Sequence, residues 1–406
     1  MSSVTSLDKV KKFLQQFMKE ENIHEYDIQI EGNTEKGENF MGDITFITLI
    51  PRNGKEQYNL VVKTATNSQT LRKAMPIEST YKRETCMYTK VFPELKNFIS
   101  SVKSNFELSF VPKILWVCEE KLYETLVMEN LKYKGYGSWD KSKPMNVDHI
   151  LLVMKRIGEF HALSLAFSDQ KHEKFKEIST NLTNIWIEFS KFIDTDITYG
   201  RLLKDVMILF EEAGRIDLVD KFKPIVDNVK YIVTKETPEE DRLVICHGDC
   251  WNNNLLFKYE DAENLKPSNL VFVDYQLSML ESPVKDLSYF IYSACDESTL
   301  DKVEFFLQTY HESLTSSLKT LGSTRDDIFT YDQLKEHWKK YSSYGLIDSA
   351  FIVKIEISSS DEAPDLIRIT EQETDLSNIF NFKLKDYEEY KRRMIAVFSH
   401  YAEHVL

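Results

Sequence analysis

Apolar residues recur at helical spacing near the N-terminus, and the pattern then switches to the alternation of β-strands. The first pattern predicts an amphipathic helix over residues 6–20. Runs rich in β-branched and aromatic residues, bounded by turn formers, then predict five strands: 26–30, 43–50, 58–65, 111–120 and 122–131. A charged helical segment, 78–92, separates the third strand from the fourth. This order predicts a compact α+β unit in which the helix covers one face of an antiparallel sheet.

Helical periodicity dominates after a turn-rich connector that begins at residue 132. Long helices are predicted over 146–167 and 298–322. We therefore expect an α+β fold in two lobes. The first, residues 1–131, contains the five-stranded antiparallel sheet and its helix, and the second, residues 132–406, is larger and mostly helical.

Charge and composition narrow the range of partners. The 406-residue chain carries a net charge of −14, which argues against nucleic acid or an anionic membrane as the main partner. The N-terminus lacks the apolar core of a signal peptide and no segment is long enough to span a bilayer, so a cytoplasmic protein is expected. Five cysteines without a CxxC pair argue against a disulfide framework or a zinc site. The acidic segment 358–375 is interpreted as an exposed, solvated loop.

One segment, VICHGDCWNNNLLF at residues 244–257, places short polar side chains between two apolar runs that are predicted to be strands. Turn formation alone would explain many of these residues. However, Asp249 and Asn254 are five positions apart, and Asp274 follows the next predicted strand, NLVF. One carboxylate could accept a substrate proton, and two hard oxygen ligands could bind Mg²⁺. Phosphoryl transfer needs both kinds of group.

Phosphoryl transfer also needs a cation for the phosphates of the nucleotide. Lys63 lies late in the third strand, where a buried apolar face would hardly contain a lysine. Glu84, on the following helix, is the best-placed partner for it. Each residue taken alone is more typical of a solvent-exposed position, because both types are rarely buried unless paired.

The set as a whole resembles the kinase superfamily, in which a catalytic-loop Asp precedes an Asn by five positions and a metal-binding Asp follows. HGD replaces HRD, Asp274-Tyr275-Gln276 replaces DFG, and no Ala-Pro-Glu segment follows. These features resemble the aminoglycoside phosphotransferase and choline kinase group. The stretches HGDCWNNN, VDYQ, SPVKDLSYF and GENFMGD resemble the ecdysteroid kinase-like family more closely. The resemblance implies a bilobal protein kinase-like fold, with an N-terminal nucleotide-binding lobe, a C-terminal catalytic and substrate-binding lobe, ATP as phosphoryl donor and Mg²⁺ as cofactor.

The resemblance also implies roles for individual residues. Asp249 would be the catalytic base, and Asn254 and Asp274 would bind Mg²⁺. Lys63 would bind the α- and β-phosphates, with Glu84 as its orienting partner. Two further sets would contact the nucleotide, namely the hinge residues Met128, Glu129, Asn130 and Leu131, and the phosphate-facing residues Gly37, Asn39 and Gly42.

Several neighbouring residues are expected to support the site. By resemblance, Asp286 would bond the backbone of the catalytic loop. His247 is expected to orient the same loop, and Trp251 either packs the loop against the helical lobe or forms a wall of the substrate pocket. His161 lies on an apolar helical face and is expected to be a hydrogen-bonded core residue.

The function implied by this resemblance is that of an ATP- and Mg²⁺-dependent O-phosphotransferase. Its acceptor would be a hydroxyl of a small apolar molecule, such as an ecdysteroid or a xenobiotic alcohol, which would fit a role in detoxification. The acceptor pocket is expected to face Asp249, with helices from 146–220 and 298–345 as candidate walls. Two alternatives remain: a catalytically silent binding protein on the same fold, and a protein kinase, which the missing activation-segment signature disfavours.

Overall fold

A computed structural model of the chain describes residues 6–33, 41–260, 266–372, 379 and 382–406. Gly37 and Asn39, two of the predicted phosphate-facing residues, lie outside these ranges. Within the described ranges, no helix combines the length and the apolar character needed to cross a bilayer.

The N-terminal part is built on a five-stranded antiparallel sheet, as the sequence predicts. Its strands are β1 (Tyr26–Asn33), β2 (Gly42–Pro51), β3 (Tyr58–Ala65), β4 (Ile114–Cys118) and β5 (Thr125–Glu129). Their order across the sheet is β1-β2-β3-β5-β4. Every neighbouring pair is antiparallel, and β3 therefore lies at the centre between β2 and β5.

Helices cover both faces of this sheet. Helix α1 (Ser6–Glu20) packs its apolar residues against one face, where Val62 of β3 belongs to the same apolar cluster. On the other side lie α2 (Gln69–Ala74), α3 (Ile77–Cys86) and α4 (Phe92–Ser101). The predicted helix at 78–92 is thus only part of a longer run, because a π-helical turn joins α3 directly to α4. Pro93 does not interrupt this run, since it lies in the first turn of α4, where a missing N–H is tolerated.

The C-terminal part is mostly helical. Its first helices are α5 (Val147–Gln170), α6 (His172–Ser179), α7 (Ile185–Phe189), α8 (Thr195–Glu212), α9 (Ile216–Val226) and α10 (Val229–Thr234). The later helices are α11 (Pro283–Ala294), α12 (Glu297–Leu300), α13 (Val303–Thr320), α14 (Tyr331–Tyr341), α15 (Ser343–Ile357), α16 (Leu366–Gln372) and α17 (Tyr387–His404). The predicted α+β architecture is confirmed, while the lobe boundary at residue 131 stays a prediction.

Two small sheets interrupt the helices and carry the polar segment at 244–257. One pairs β7 (Val244–Cys246) with β10 (Met279–Glu281). The other has the order β6-β8-β9 and consists of β6 (Tyr136–Ser138), β8 (Leu255–Tyr259) and β9 (Pro267–Phe272). The segment between β7 and β8 is therefore held at both ends by strands of different sheets.

The interpretation of residues 358–375 as an exposed loop is wrong for its central part. Ala363 and Leu366 are buried, and Leu366 begins helix α16. The acidic composition of the segment concealed these few apolar positions; Leu366 belongs to the main apolar cluster, and α16 lies against α2. A prediction from charge alone could not detect that packing.

Helices α11 and α15 approach each other unusually closely at Gly345. A Cβ atom built on Gly345 would lie 2.1 Å from the Ser288 carbonyl carbon and 2.2 Å from the Tyr289 nitrogen. Real contacts of a Cβ are never that short, so the absence of a side chain allows the two backbones to meet. Asp348 follows Gly345 by three residues and lies on the same helix close to Tyr289 and the cavity described below.

Gly345→Ala is expected to lower the free energy of unfolding by about 2 kcal/mol or more, because backbone atoms of α11 must move to admit the methyl group. Gly200→Ala is the matched control, since Gly200 is also helical and has nothing within 4 Å of its virtual Cβ. That variant should be neutral or stabilised by up to about 1 kcal/mol. Urea unfolding of both variants measures the difference, and equal stabilities would contradict the close approach.

Candidate active site

The loop between β7 and β8 turns sharply at Gly248. This residue has φ of +83°, and a Cβ atom there would lie 2.1 Å from the Leu277 carbonyl oxygen. Both facts require glycine, because other residues avoid this backbone conformation and would clash. The turn directs the side chains that follow it, beginning with Asp249, toward the space between the two lobes.

Asp286, on the first turn of α11, holds the loop through its backbone. Its carboxylate accepts hydrogen bonds from the amide of His247 (2.7 Å) and the amide of Gly248 (2.9 Å). The His161 Nε2 atom lies 3.1 Å from the same carboxylate, and His161 Nδ1 lies 3.1 Å from the Tyr310 hydroxyl. Burial alone would raise the pKa of Asp286, but its hydrogen bond to His161 and the nearby histidines hold that pKa below its usual value. His161 is therefore a hydrogen-bonded core residue, and it acts on the loop through Asp286.

His247 is buried and is fixed in one tautomer by its two partners. The amide of Asp249 donates to Nδ1 (3.2 Å), so the proton resides on Nε2, which lies 3.0 Å from the Val273 carbonyl oxygen. Burial lowers the pKa of His247, which favours this neutral form. With both nitrogens engaged by backbone, the imidazole orients the loop and is not free to transfer a proton.

The Asp249 carboxylate is buried and oriented by two neutral donors. The Tyr289 hydroxyl donates to Oδ1 (2.7 Å), and the Asn254 amide nitrogen donates to Oδ2 (2.9 Å). Burial and the negative charge of Asp274 raise the pKa of Asp249 to about 7, despite these hydrogen bonds and one from Trp251. No cation neutralises this carboxylate directly in the described residues, so it remains a proton acceptor.

Lys63 joins the central strand of the sheet to the helix beside it and to the C-terminal lobe. Because side chains alternate along a strand, Lys63 points away from α1, which covers the face of its neighbour Val62. Its ammonium Nζ lies 2.7 Å from Glu84 Oε2 and 2.7 Å from Asp274 Oδ1, and Lys63 is 2% exposed. Burial alone would lower the pKa of Lys63, but the two carboxylates raise it above its usual value.

The register of the β8–β9 hairpin brings Asn254 and Asp274 together. Leu255 pairs with Phe272, so the residues just outside this pair lie side by side, and the Val273 amide donates to the Asn254 carbonyl oxygen (3.0 Å). Asp274 itself has φ of +67°, which turns the chain back after β9.

The two side chains offer the hard oxygen atoms that suit Mg²⁺. The amide nitrogen of Asn254 is used on Asp249, which leaves its oxygen Oδ1 as the group able to bind a metal. Asp274 uses one oxygen on Lys63 and retains the other. A carboxylate and an amide oxygen form a partial set that Mg²⁺ completes with water and phosphate oxygens, so the residues present fit this cofactor.

The predicted hinge residues lie at the end of β5 and in the turn after it. The Glu129 amide donates to the Lys113 carbonyl oxygen (3.1 Å), and the Asn130 amide donates to the Asn59 carbonyl oxygen (2.8 Å). Met128 still belongs to β5, and Leu131 begins a short 3₁₀ turn. Gly42, the one described member of the phosphate-facing set, begins β2 opposite Ala65.

An apolar cavity of about 130 Å³ opens beside Asp249. Its described walls include Trp186, Phe189, Ile193, Phe351, Ile352 and Leu366. Trp251 is 5% exposed, so it packs the loop, and it also forms part of the cavity wall. Of the two candidate walls, 146–220 contributes described lining residues to this cavity, and 298–345 contributes none. Helices α15 and α16 also form part of the cavity wall, because the close approach at Gly345 and the buried Leu366 bring them to the cavity.

Sequence reasoning missed three interactions of this site. Tyr289 was not predicted, although it follows Asp286 by three residues on one helix, a spacing that places both on the same face. Asp348 was also missed, although it is an isolated acid in an otherwise apolar helical segment.

The third interaction anchors Asn252, which was interpreted only as a turn former. Its amide nitrogen donates to Glu356 Oε1 (2.8 Å), and the Arg393 guanidinium of α17 lies 3.4 Å from Glu356 Oε2. All three residues are buried. No local signal connects residues so far apart in the chain, so this contact could not be predicted from one sequence.

Comparison with known proteins agrees with the class that these features define, a small-molecule kinase-like protein. The model of the ecdysteroid kinase-like family matches residues 36–323, well over half of the chain. The protein belongs to the ecdysteroid kinase-like family. A comparison with curated proteins gives no match.

Solved structures that resemble this chain are distant in sequence. An ethanolamine kinase of Plasmodium vivax is 13% identical with a TM-score of 0.41, and the match covers 94% of this chain and 96% of that one. The GDP complex of a variant of aminoglycoside 2'-phosphotransferase-IIIa is 16% identical with a TM-score of 0.41, covering 93% and 97%. A glucosamine kinase is 10% identical with a TM-score of 0.35, covering 87% and 94%.

Asp286→Asn should lower the free energy of unfolding at neutral pH by about 2 kcal/mol or more, because an amide presents an N–H group to donors that need an acceptor. The folded-state pKa of Asp286 lies below its unfolded value near 3.9. The difference in the free energy of unfolding between wild type and variant should therefore have its full value above about pH 5. It should shrink as the pH falls through the folded-state pKa.

Urea unfolding at several pH values measures this difference. Asp326→Asn is the control, since the Asp326 side chain is 88% exposed. Its ionic partner, Lys319 at 3.6 Å, is exposed as well. A variant at Asp286 as stable as this control would contradict the anchoring of the loop.

Proposed function

We propose that the protein is an ATP- and Mg²⁺-dependent phosphotransferase that phosphorylates a hydroxyl of a small apolar molecule. One observation supports this proposal: Asp249 lines an apolar cavity and accepts a hydrogen bond from Asn254, whose backbone bonds Val273, and the next residue, Asp274, pairs with Lys63. A candidate proton acceptor, candidate metal ligands and a candidate phosphate-binding cation are thus linked by a short series of contacts.

Asp249 would act as the catalytic base. An acceptor in the cavity would direct its hydroxyl at Asp249, whose orientation is set by Tyr289 and Asn254. The hydroxyl oxygen would form a bond to the γ-phosphorus of ATP while the bond from that phosphorus to the bridging oxygen breaks, and ADP leaves. The hydroxyl proton would pass to the Asp249 carboxylate.

Lys63 would bind the α- and β-phosphates, and Glu84 would keep its ammonium in place when Asp274 turns to a metal. Asn254 and Asp274 would hold Mg²⁺. When bound, Mg²⁺ would neutralise negative charge on the phosphate oxygens. Since the amides of Glu129 and Asn130 are already bonded, the Leu131 amide is the expected hinge donor to adenine.

The acceptor is proposed to be apolar because the cavity walls are mostly aromatic and aliphatic. Ecdysteroids and xenobiotic alcohols, the acceptors implied by family resemblance, have this character. A cavity of about 130 Å³ has room for one ring of such a molecule beside Asp249, with the remainder extending outward. An apolar cavity of this size suits a small molecule better than the flexible peptide that a protein kinase would require.

Mg²⁺ and ATP together should raise the midpoint of thermal unfolding of the wild type, because ligand binding to the folded state adds about 2.7 kcal/mol at a hundredfold excess over Kd. Asp274→Ala should lose the part of this shift that requires Mg²⁺. ATP with a chelator, and the exposed-site variant Asp326→Asn, are the controls in thermal-shift assays. No shift with any nucleotide at millimolar concentration would contradict the kinase proposal.

Asp249→Asn should keep the nucleotide-dependent thermal shift but lower kcat by about 100-fold or more, the usual scale for loss of a general base. Transfer of phosphate to a panel of ecdysteroids and hydroxylated xenobiotics, followed by mass spectrometry, measures turnover. Near-normal turnover would remove Asp249 from this role. Nucleotide binding without turnover of any acceptor by the wild type would favour the silent binding protein.

A further inference from the structure

A second buried carboxylate, Asp348 of α15, faces the same cavity as Asp249. It is 3% exposed. The Tyr199 hydroxyl donates to its Oδ1 atom (3.0 Å), while Oδ2 is buried and accepts no hydrogen bond of regular geometry from the described residues. The Tyr344 hydroxyl lies close by and accepts a hydrogen bond from the Trp186 indole (2.7 Å). Asp348 therefore lines the cavity and has one acceptor atom without a hydrogen bond of regular geometry, with the Tyr344 hydroxyl as its near neighbour.

Burying an acid at this position is energetically unfavourable. Helix α15 is buried on almost every side, so an apolar residue would pack there without any loss of hydration. Burial raises the pKa of Asp348 to about 7, despite the Tyr199 hydrogen bond. The nearest ammonium that influences it, that of Lys285, is paired with Glu281 at 3.0 Å.

The charge of the cavity indicates which ligand would satisfy this acid. The described lining contains the two carboxylates of Asp249 and Asp348 and no lysine, arginine or histidine. Anionic acceptors are disfavoured by this arrangement, and groups that donate hydrogen bonds are favoured. A hydroxyl-bearing ring in a space of about 130 Å³ would reach both walls of the cavity.

We propose that Asp348 determines acceptor specificity by accepting a hydrogen bond from a second hydroxyl of the acceptor. The preferred acceptor is thus an apolar molecule with at least two hydroxyls, one at Asp249 and one at Asp348. This inference rests on the proposed function for the identity of the first hydroxyl, but the recognition of the second does not require catalysis. Asp348 is a specificity residue, because the transferred phosphate and the proton never reach it.

A purely structural role would give a different result. In that case Asp348 would only pair with Tyr199 and hold α8 against α15. Its removal would then lower stability and weaken every acceptor equally. A specificity role predicts instead that removal affects diols and leaves mono-ols unchanged.

The test measures binding without nucleotide, through the fluorescence of Trp186 and Trp251, which both line the cavity. Two matched pairs serve as probes: cyclohexanediol with cyclohexanol, and androstanediol with androstanol, using all available positional isomers of each diol. For the wild type, the best diol of at least one pair should bind about 10-fold more tightly than its mono-ol, the ratio expected for one hydrogen bond to a charged group. Asp348→Leu should remove this preference and leave mono-ol binding within about 2-fold.

Three further variants complete the test. Asp348→Asn keeps one acceptor oxygen and the shape of the side chain, so it should retain a reduced preference for the diol. Tyr199→Phe removes the hydrogen bond from the Tyr199 hydroxyl to Asp348 but leaves the carboxylate, so the preference for the diol should persist. Asp332→Asn, with a side chain 84% exposed, should behave as the wild type.

Equal binding of diol and mono-ol by the wild type, or an unchanged preference in Asp348→Leu, would overturn the inference. A preference that disappears in Tyr199→Phe as well would indicate the structural role and would also overturn it. Failure of the proposed function is distinguishable, because it appears as a missing Mg²⁺-ATP thermal shift while the diol preference remains intact.

Discussion

The buried ammonium of Lys63 is the interaction on which the whole site depends. It lies 2.7 Å from both Glu84 and Asp274, and these three residues come from the central strand, the covering helix and the C-terminal hairpin. Removing Lys63 would leave two carboxylates close together without their shared ammonium in a largely buried space, which is strongly unfavourable. Two carboxylates share one ammonium here, so Asp274 could turn to a second cation while Lys63 stays paired with Glu84. The geometry of the sheet, the packing of α3 and the proposed place of the nucleotide are thus coupled through one nitrogen atom.

Local pattern was enough to predict much of the fold and the central part of the site. Strand alternation placed Lys63 opposite the apolar face of β3, and the spacing from Asp249 to Asn254 followed the turn between two strands. The β8–β9 hairpin could be predicted from two apolar runs, and its register brings Asp274 to Asn254. Each of these relations joins residues near in sequence or obeys a short period, which is why one sequence was sufficient.

The remainder of the site depends on tertiary contacts that leave little trace in a single sequence. Asp348 reaches the cavity because two helix backbones meet at Gly345, and the apolar residues after 362 pack there despite their acidic neighbours. Asn252 is anchored by Glu356, which follows it by 104 positions. Two acids, Asp348 and Glu356, interrupt the apolar sequence of one helix, and this signal indicates burial without identifying the partner of either acid.

Helix α15 connects two parts of the site. Near its start, Asp348 faces the acceptor cavity, and near its end Glu356 holds the catalytic loop through Asn252. A helix of this length moves as a unit, so repacking that shifts one end displaces the other. If the proposed function holds, repacking of α15 that changes the choice of acceptor would therefore also change the rate of phosphate transfer.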